Sequence, residues 1–309
     1  MINYKTNSGW FRDMFHLTTS YVMVRVLKST TLMGVYAALV WYTVDVLGVA
    51  GELPLDVSVF SVLGVILSIF LVFRTNTAYD RWWEARIHWG ALVNNCRNMA
   101  IYVDTMFPAP DPETRRYFAK HISNFCLALA EHLRHGTKLE LLCHLTEEEK
   151  AFYGSKQHIP NFIALRIFAR VAQAHRDGEI NEGDYINIKA QHQSLLDILG
   201  ACERIKKTPI PFSYAVYLKV FISAYGVLMP WALAQTFHLA TVPVVMLVFF
   251  ALVGIELMGE EIEDPFGRDC NDLPTGDIAQ AISNNVFEIL TGETRTEPRK
   301  PLEPYQKIF

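Results

Sequence analysis

Carboxylates crowd one short stretch of this 309-residue chain, ELMGEEIEDPFGRDCNDLPTGD, from Glu256 to Asp277. Glu260, Glu261, Glu263, Asp264, Asp269, Asp272 and Asp277 surround a Pro265-Phe266-Gly267 turn. Hard oxygen ligands gathered on a loop suit a divalent cation such as Ca²⁺. An acidic, solvated linker accounts for the same pattern equally well, and Gly267 does not stand in the DxDxDG order of an EF-hand. Histidines are the other chemically able group. His121, His132, His135 and His144 fall on or near one helical stretch, and His132 and His135 have a spacing that metal ligands on one helix use. No third ligand stands at a defined spacing, which favours surface or core roles for them. The sequence contains no GxSxG, no HExxH and no phosphate-cradling glycine loop. An enzyme would have to be assembled from scattered residues.

Four long apolar stretches must position whatever these residues do. The first covers about residues 26–50 and the second 54–73, whose core VFSVLGVILSIFLVF carries no charge. The third follows Pro209 and Pro211 and runs to about Leu233, interrupted by Lys219. The fourth, LATVPVVMLVFFALVGIELM, spans Leu239–Met258. Each reaches the roughly 20 residues that a helix needs to cross a hydrocarbon core. Of the 28 Lys and Arg residues, only Lys219 lies inside the last two stretches, and none lies in the link of either pair. The flanks carry Arg25, Lys28, Arg74, Arg81, Arg204, Lys206 and Lys207, whereas the link at 45–56 carries only Asp45, Glu52 and Asp56. That asymmetry predicts two transmembrane hairpins with both termini and the middle of the chain in the cytoplasm. Lys219 is expected to snorkel toward the interface, and Glu256 to mark the exit from the membrane.

The region between the hairpins reads as helical. Leu92, Met99 and Val103, then Ile122, Phe125, Leu129 and Leu133, recur at three- and four-residue spacing. Breaks are predicted at Pro108–Pro112, Gly154–Pro160 and Gly183, with Asp111 capping the helix that follows and Glu113 in its first turn. Five cysteines without CxxC spacing fit reduced thiols, and a net charge of −4 argues against nucleic acid as partner. The expected organisation is an N-terminal cytoplasmic segment (1–25), a first hairpin (26–73), a cytoplasmic helical region (74–208), a second hairpin (209–258), and an acidic loop, helix and tail (259–309). The fold class is all-α.

Three segments carry a resemblance. RTNTAYDRWWEARIHWG (Arg74–Gly90) resembles the arginine–double tryptophan signature that follows the second membrane helix in the bestrophin family. GEEIEDPFGRDCNDLP (Gly259–Pro274) is similar to that family's acidic segment after the last membrane helix, and ERIKKTPIPFSYAVYLK (Glu203–Lys219) to its lead into the second hairpin. With YKTNSGWFRDMF at the start, the likeness covers roughly residues 4–290 in collinear order and reads as a bacterial member. It implies a homopentameric ion channel of the inner membrane, lined by the second membrane helix, with lipids and permeant ions as its other partners. It places a narrow neck at Val62, Ile66 and Phe70, a cytoplasmic constriction at Ile180, and a calcium clasp at Asp264, Asp269 and Asp272 with Glu261 nearby. Arg268 and Cys270 interrupt that acidic run, so no cofactor is expected to be required.

The neck residues are four apart and form one stripe down a helix. On spacing alone, helix packing or lipid contact explains them better; the resemblance and the hairpin topology reverse that judgement. Gly64 and Ser68, on another face, suit close helix packing. Ile180 taken alone is a turn residue packed into the bundle. Carboxylates at Asp45, Glu52 and Asp56 outside, and at Asp177, Glu179, Glu182 and Asp184 beside Ile180, predict selection of monovalent cations, Na⁺ and K⁺. The alternatives are a chloride channel of the same architecture and a membrane-anchored, metal-dependent enzyme using the 260–277 carboxylates.

Overall fold

The computed structural model describes residues 21–48, 56–107, 111–269 and 271–293. Among them every regular element is helical. The described residues divide into two compact units, one drawn from 21–82 and 209–264, the other from 83–208 and 265–293. The N-terminal segment before 21, the link at 49–55 and the tail after 293 lie outside the described residues.

The first unit is apolar. It holds α1 (Tyr21–Trp41, extended by a π turn, Tyr42–Val46), residues 57–82 of α2 (Val57–Met106), α7 (Phe212–Phe237) and α8 (Thr241–Glu263). Three runs of the described chain are long and apolar enough to cross a membrane: Val22–Val46, Val57–Met106 and Glu182–Glu263. The last contains α7 and α8, parted at His238, where φ is 47° and helical backbone cannot continue. Its core sets Leu67 and Leu71 of α2 against Leu218, Ile222 and Met229 of α7 and Val245 and Phe249 of α8. The outward faces are apolar as well, with Leu32 73% and Leu247 70% exposed. Helices apolar on every face belong in lipid, because in water such surface would associate.

Pro230 sits inside α7, where it lacks the N–H that would reach the Gly226 carbonyl. A neighbouring helix supplies polar contacts there: Tyr36 Oη of α1 donates to the Val227 carbonyl at 3.1 Å and accepts Trp231 Nε1–H at 2.9 Å. Gly226 itself marks close approach. A Cβ at this position would lie 2.7 Å from Phe249 Cε2 and 3.0 Å from Met33 Cε. At Gly34 the intruded atom is Met246 Sδ, at 2.6 Å, on a side chain that can rotate away.

The second unit carries the polar helices: residues 83–106 of α2, α3 (Pro112–His132), α4 (Glu147–Gly154), α5 (Ile159–Arg176), α6 (Glu182–Lys207) and α9 (Thr275–Thr291). α3 packs on α9 and α5, and α5 on α6. The periodic apolar positions fill this core: Leu92, Met99, Val103, Ile122, Phe125, Leu129 and Leu133 are all buried. Asp111 caps α3 as its position implies, accepting Thr114 N–H at 3.0 Å. The break predicted at Gly183 falls earlier. α5 ends at Arg176, Gly178 takes a φ of 75°, and Asn181 caps α6 through Asp184 N–H at 2.9 Å, leaving Gly183 in the first helical turn.

His121 of α3 is buried, with Nδ1 2.8 Å from the Tyr117 carbonyl and its ring stacked on Tyr117 at 4.0 Å. Burial, joined by the nearby Lys120 and Arg166 charges, outweighs the Tyr117 carbonyl and Glu149 and lowers its pKa from 6.5 to about 4.

Two outcomes follow for stability. Gly226→Ala should overpack the α7–α8 contact by about 1–3 kcal/mol, lowering the apparent Tm in detergent more than Gly34→Ala does; equal losses would contradict the tight contact. For His121 the unfolded chain binds the proton first, so its contribution is complete above pH 6.5 and drains away as pH falls toward about 4. His121→Gln should therefore flatten the fall of apparent Tm across that window, and an unchanged slope would rule this histidine out as the cause.

Candidate functional site

α2 buries one face and leaves another bare. Phe60, Leu67 and Leu71 are buried, while Val62 is 61% and Ile66 40% exposed on the face turned away from them. Phe70, lower on the same stripe, is half-buried, its ring edge-on to Tyr214 and Tyr217 at 6.3 Å each. The helix is locked in this rotation by close contact on a different side. A Cβ at Gly64 would lie 3.1 Å from Tyr225 Oη, which donates to the Phe60 carbonyl at 3.3 Å. The exposed stripe offers an ion no polar atom, so if it lined a passage it could act only by excluding or admitting water.

One turn below Phe70, the apolar face ends at an ion pair. Arg74 is 2% exposed, and its Nη2 lies 2.6 Å from Glu263 Oε2. Glu263 Oε1 accepts Ile210 N–H at 2.8 Å, and its carbonyl accepts Arg81 Nε–H at 3.1 Å. Tyr214 Oη donates to the Phe70 carbonyl at 2.9 Å. Glu263 thus joins α2, α8 and the approach to α7. In the sequence Glu263 is one carboxylate of a run that suits a cation site or an acidic linker equally; in the structure it is the anion that the buried Arg74 requires. Lys219 also has carboxylate partners, Glu260 Oε2 at 3.0 Å and Glu256 Oε1 at 3.7 Å. Lys219, expected to reach toward the interface, does so onto carboxylates at the end of α8 and thereby bridges α7 to α8. Glu256, expected only to mark the membrane exit, is buried within that bridge.

The carboxylates expected to select charge are engaged to different degrees. Asp45 accepts Trp41 Nε1–H at 2.9 Å and meets His238 Nδ1 at 2.8 Å, tying the end of α1 to the strained residue between α7 and α8. Asp56 is exposed at the start of α2 and accepts Ser58 N–H at 2.8 Å; the Ser58 hydrogen bonds lower its pKa below the ordinary carboxylate value. Glu52 lies outside the described residues. In the turn before α6, Ile180 is 4% exposed and packs into the bundle. The surface of that turn belongs to its charged neighbours. Asp177 accepts Gln173 Nε2–H at 2.7 Å, Glu179 pairs with Arg170 at 2.8 Å and Glu182 with His175 at 3.1 Å.

In the acidic segment, Glu261 lies in the last turn of α8 and Asp264 follows its end. Asp269 and Asp272 close a turn of their own: Asp269 N–H donates to Asp272 Oδ2 at 2.7 Å, and Asp272 N–H to the Asp269 carbonyl at 3.1 Å. Cys270 lies outside the described residues. Arg268 reaches buried Glu131 at 3.3 and 3.4 Å, a carboxylate that also pairs with Arg134 at 2.9 Å. A guanidinium paired to Glu131 thus stands within the acidic segment.

The histidines regroup. His132 and His158 each bring Nε2 within 2.6 Å of Glu203 Oε1, and their rings lie 4.4 Å apart. His132 ends α3, His158 caps α5 and Glu203 stands in the final turns of α6. Among the described residues this is the group of three whose ligating atoms converge, all within 4.8 Å. His135, which shares a helical spacing with His132, takes no part in it. Burial raises the Glu203 pKa, but hydrogen bonds from His132, His158 and Lys207 overcome this and hold it at about 2.

Comparison with known proteins follows the same lines. A family model described as "Bacterial/Fungal Bestrophin protein" matches residues 1–288. A voltage-dependent anion channel-forming protein of Synechocystis is 35% identical over 251 residues, covering 80% of this chain and 81% of the relative. The voltage-dependent anion channel-forming protein YneE of Escherichia coli K12 is 31% identical over 281 residues, covering 91% and 89%. A crystal structure of a bacterial bestrophin homologue from Klebsiella pneumoniae, carrying one mutation, superposes with a TM-score of 0.78 at 29% identity. That match covers 89% of this chain and 100% of the other.

Proposed function

Because the chain belongs to the bestrophin family, a family of ion channels and not of enzymes, we propose that it forms a homopentameric channel of the bacterial inner membrane, termini in the cytoplasm, gated at the Val62–Ile66–Phe70 stripe. The observation that carries this is the exposure of Val62 and Ile66 on a helix whose opposite face is packed shut. In a monomer that exposure has no purpose beyond lipid contact. Around a fivefold axis it becomes stacked apolar rings, which conduct only when wetted. A second constriction at Ile180 requires the turn at 177–181 to present a side chain that the protomer packs away.

The flanking carboxylates favour monovalent cations. Asp56 stands exposed at the start of the pore helix, and five copies would ring the outer mouth with negative charge. Asp45, Glu179 and Glu182 contribute less, since His238, Arg170 and His175 lie against them. The anion reading has its own support in the names of the relatives, which are called anion channel-forming. No cofactor is required in this proposal. Glu261, Asp264, Asp269 and Asp272 are where Ca²⁺ would act, and Arg268 supplies a positive charge there without it.

Widening the neck should raise current. Ile66→Ala or Phe70→Ala, reconstituted in bilayers, should increase conductance or open probability by ~2-fold or more, whereas unchanged currents from an intact oligomer would remove the stripe from the gate. Ile180→Ala in the same recordings reports on the second constriction, which is discarded if conductance and selectivity hold. In a threefold NaCl gradient with chelator present, the reversal potential should lie toward the Nernst value for Na⁺ and move toward zero in Asp56→Asn. A value toward that of Cl⁻ establishes the anion reading instead, and loss of current on chelation would overturn calcium independence.

A further inference from the structure

We propose that His132, His158 and Glu203 form a binding site for a transition-metal ion of the Zn²⁺ class, joining three helices of the polar unit. Two imidazoles and one carboxylate are a donor set that suits Zn²⁺, Co²⁺ or Ni²⁺ and is poorly matched to Ca²⁺ or Mg²⁺, which take oxygen ligands. The three donors come from separate elements: the last residue of α3, the cap of α5 and the final turns of α6. Their side chains are 20%, 28% and 19% exposed, enough for water to complete a fourth coordination position.

The adjustment needed is small. Both Nε2 atoms now lie 2.6 Å from Glu203 Oε1, a hydrogen-bonding distance. Tetrahedral ligands held about 2.0–2.2 Å from a metal stand roughly 3.3–3.5 Å from each other. Each histidine–Glu203 pair must therefore open by less than about 1 Å, which rotations of these partly exposed side chains provide. Binding through Nε2 moves each neutral ring's proton to Nδ1. At His158 this gives up the Asn161 N–H contact to Nδ1, at 3.4 Å the longest in the cluster. Lys207, 3.2 Å from Glu203 Oε2 and 69% exposed, swings into solvent as the metal replaces its charge. The consequence is mechanical. A bound ion would fasten the end of α6, from which the chain continues to α7, to α3 and α5.

The test uses the full-length detergent-solubilised protein, stripped with EDTA, dialysed and titrated with ZnCl₂ or CoCl₂. The expected result is one equivalent of Zn²⁺ per chain by calorimetry, a rise in apparent Tm, and a tetrahedral Co²⁺ absorption band, with no response to CaCl₂. His158→Ala, on the most exposed ligand, should weaken Zn²⁺ binding at least 10-fold and abolish the Co²⁺ band. Glu203→Gln provides a second variant should the first fail to elute as the wild-type oligomer. Absence of the stoichiometric Zn²⁺ signal overturns the proposal. So does a signal that survives unchanged in either folded variant, which would place the metal elsewhere. Because binding is read without current, the outcome is independent of which ion the channel conducts.

Discussion

Arg74 places a guanidinium where almost no water reaches it, and the apolar unit is arranged around satisfying that charge. Only Nη2 finds a carboxylate, at 2.6 Å, and Nε and Nη1 have no hydrogen-bond partner among the described residues. Removing the partner of such a group costs far more than an exposed pair would contribute. Glu263 does more than neutralise it. Through Ile210 N–H and Arg81 it holds the start of the α7 approach and α2, below its apolar part, against the end of α8. Rotation of α2 by one residue would draw Arg74 from its carboxylate and turn Leu67 and Leu71 out of the core. The same rotation would carry Val62 and Ile66 away from their present face. The ion pair therefore helps fix which apolar residues are available to line a pore.

Apolar residues alone could not specify that rotation. α2 is hydrophobic on nearly every side, so transfer from water distinguishes its faces weakly, and in lipid it distinguishes them hardly at all. Shape and directed polar contacts decide instead. Gly64 admits Tyr225 Oη, Tyr225 bonds to the Phe60 carbonyl, Gly226 admits Phe249, and Lys219 bridges to Glu256 and Glu260. Each contact uses a small residue or a charge that is expensive to leave unmet in a low-dielectric setting.

The polar unit resolves its buried charges by the same rule. Glu131 holds Arg134 and Arg268, and Glu203 gathers two histidines and a lysine. Both clusters draw on residues far apart in the chain. An acidic run read in isolation resembles a cation site, yet Asp272 is committed to its own turn and Arg268 to Glu131.

What the sequence by itself determined is what depends on local periodicity and on the sign of charge. Four apolar stretches of spanning length, the helical spacing from Leu92 to Leu133 and the cap at Asp111 all rest on interactions within a few residues. The Arg74–Gly90 signature and the acidic turn carried the family for the same reason, being contiguous. Tertiary structure alone decided the partners: Glu263 for Arg74, Glu256 and Glu260 for Lys219, and His158 and Glu203 for His132. A helix repeat states which residues share a face, but not which face meets which neighbour. That choice is made by long-range packing, where one buried charge selects among registers that hydrophobicity leaves nearly equal.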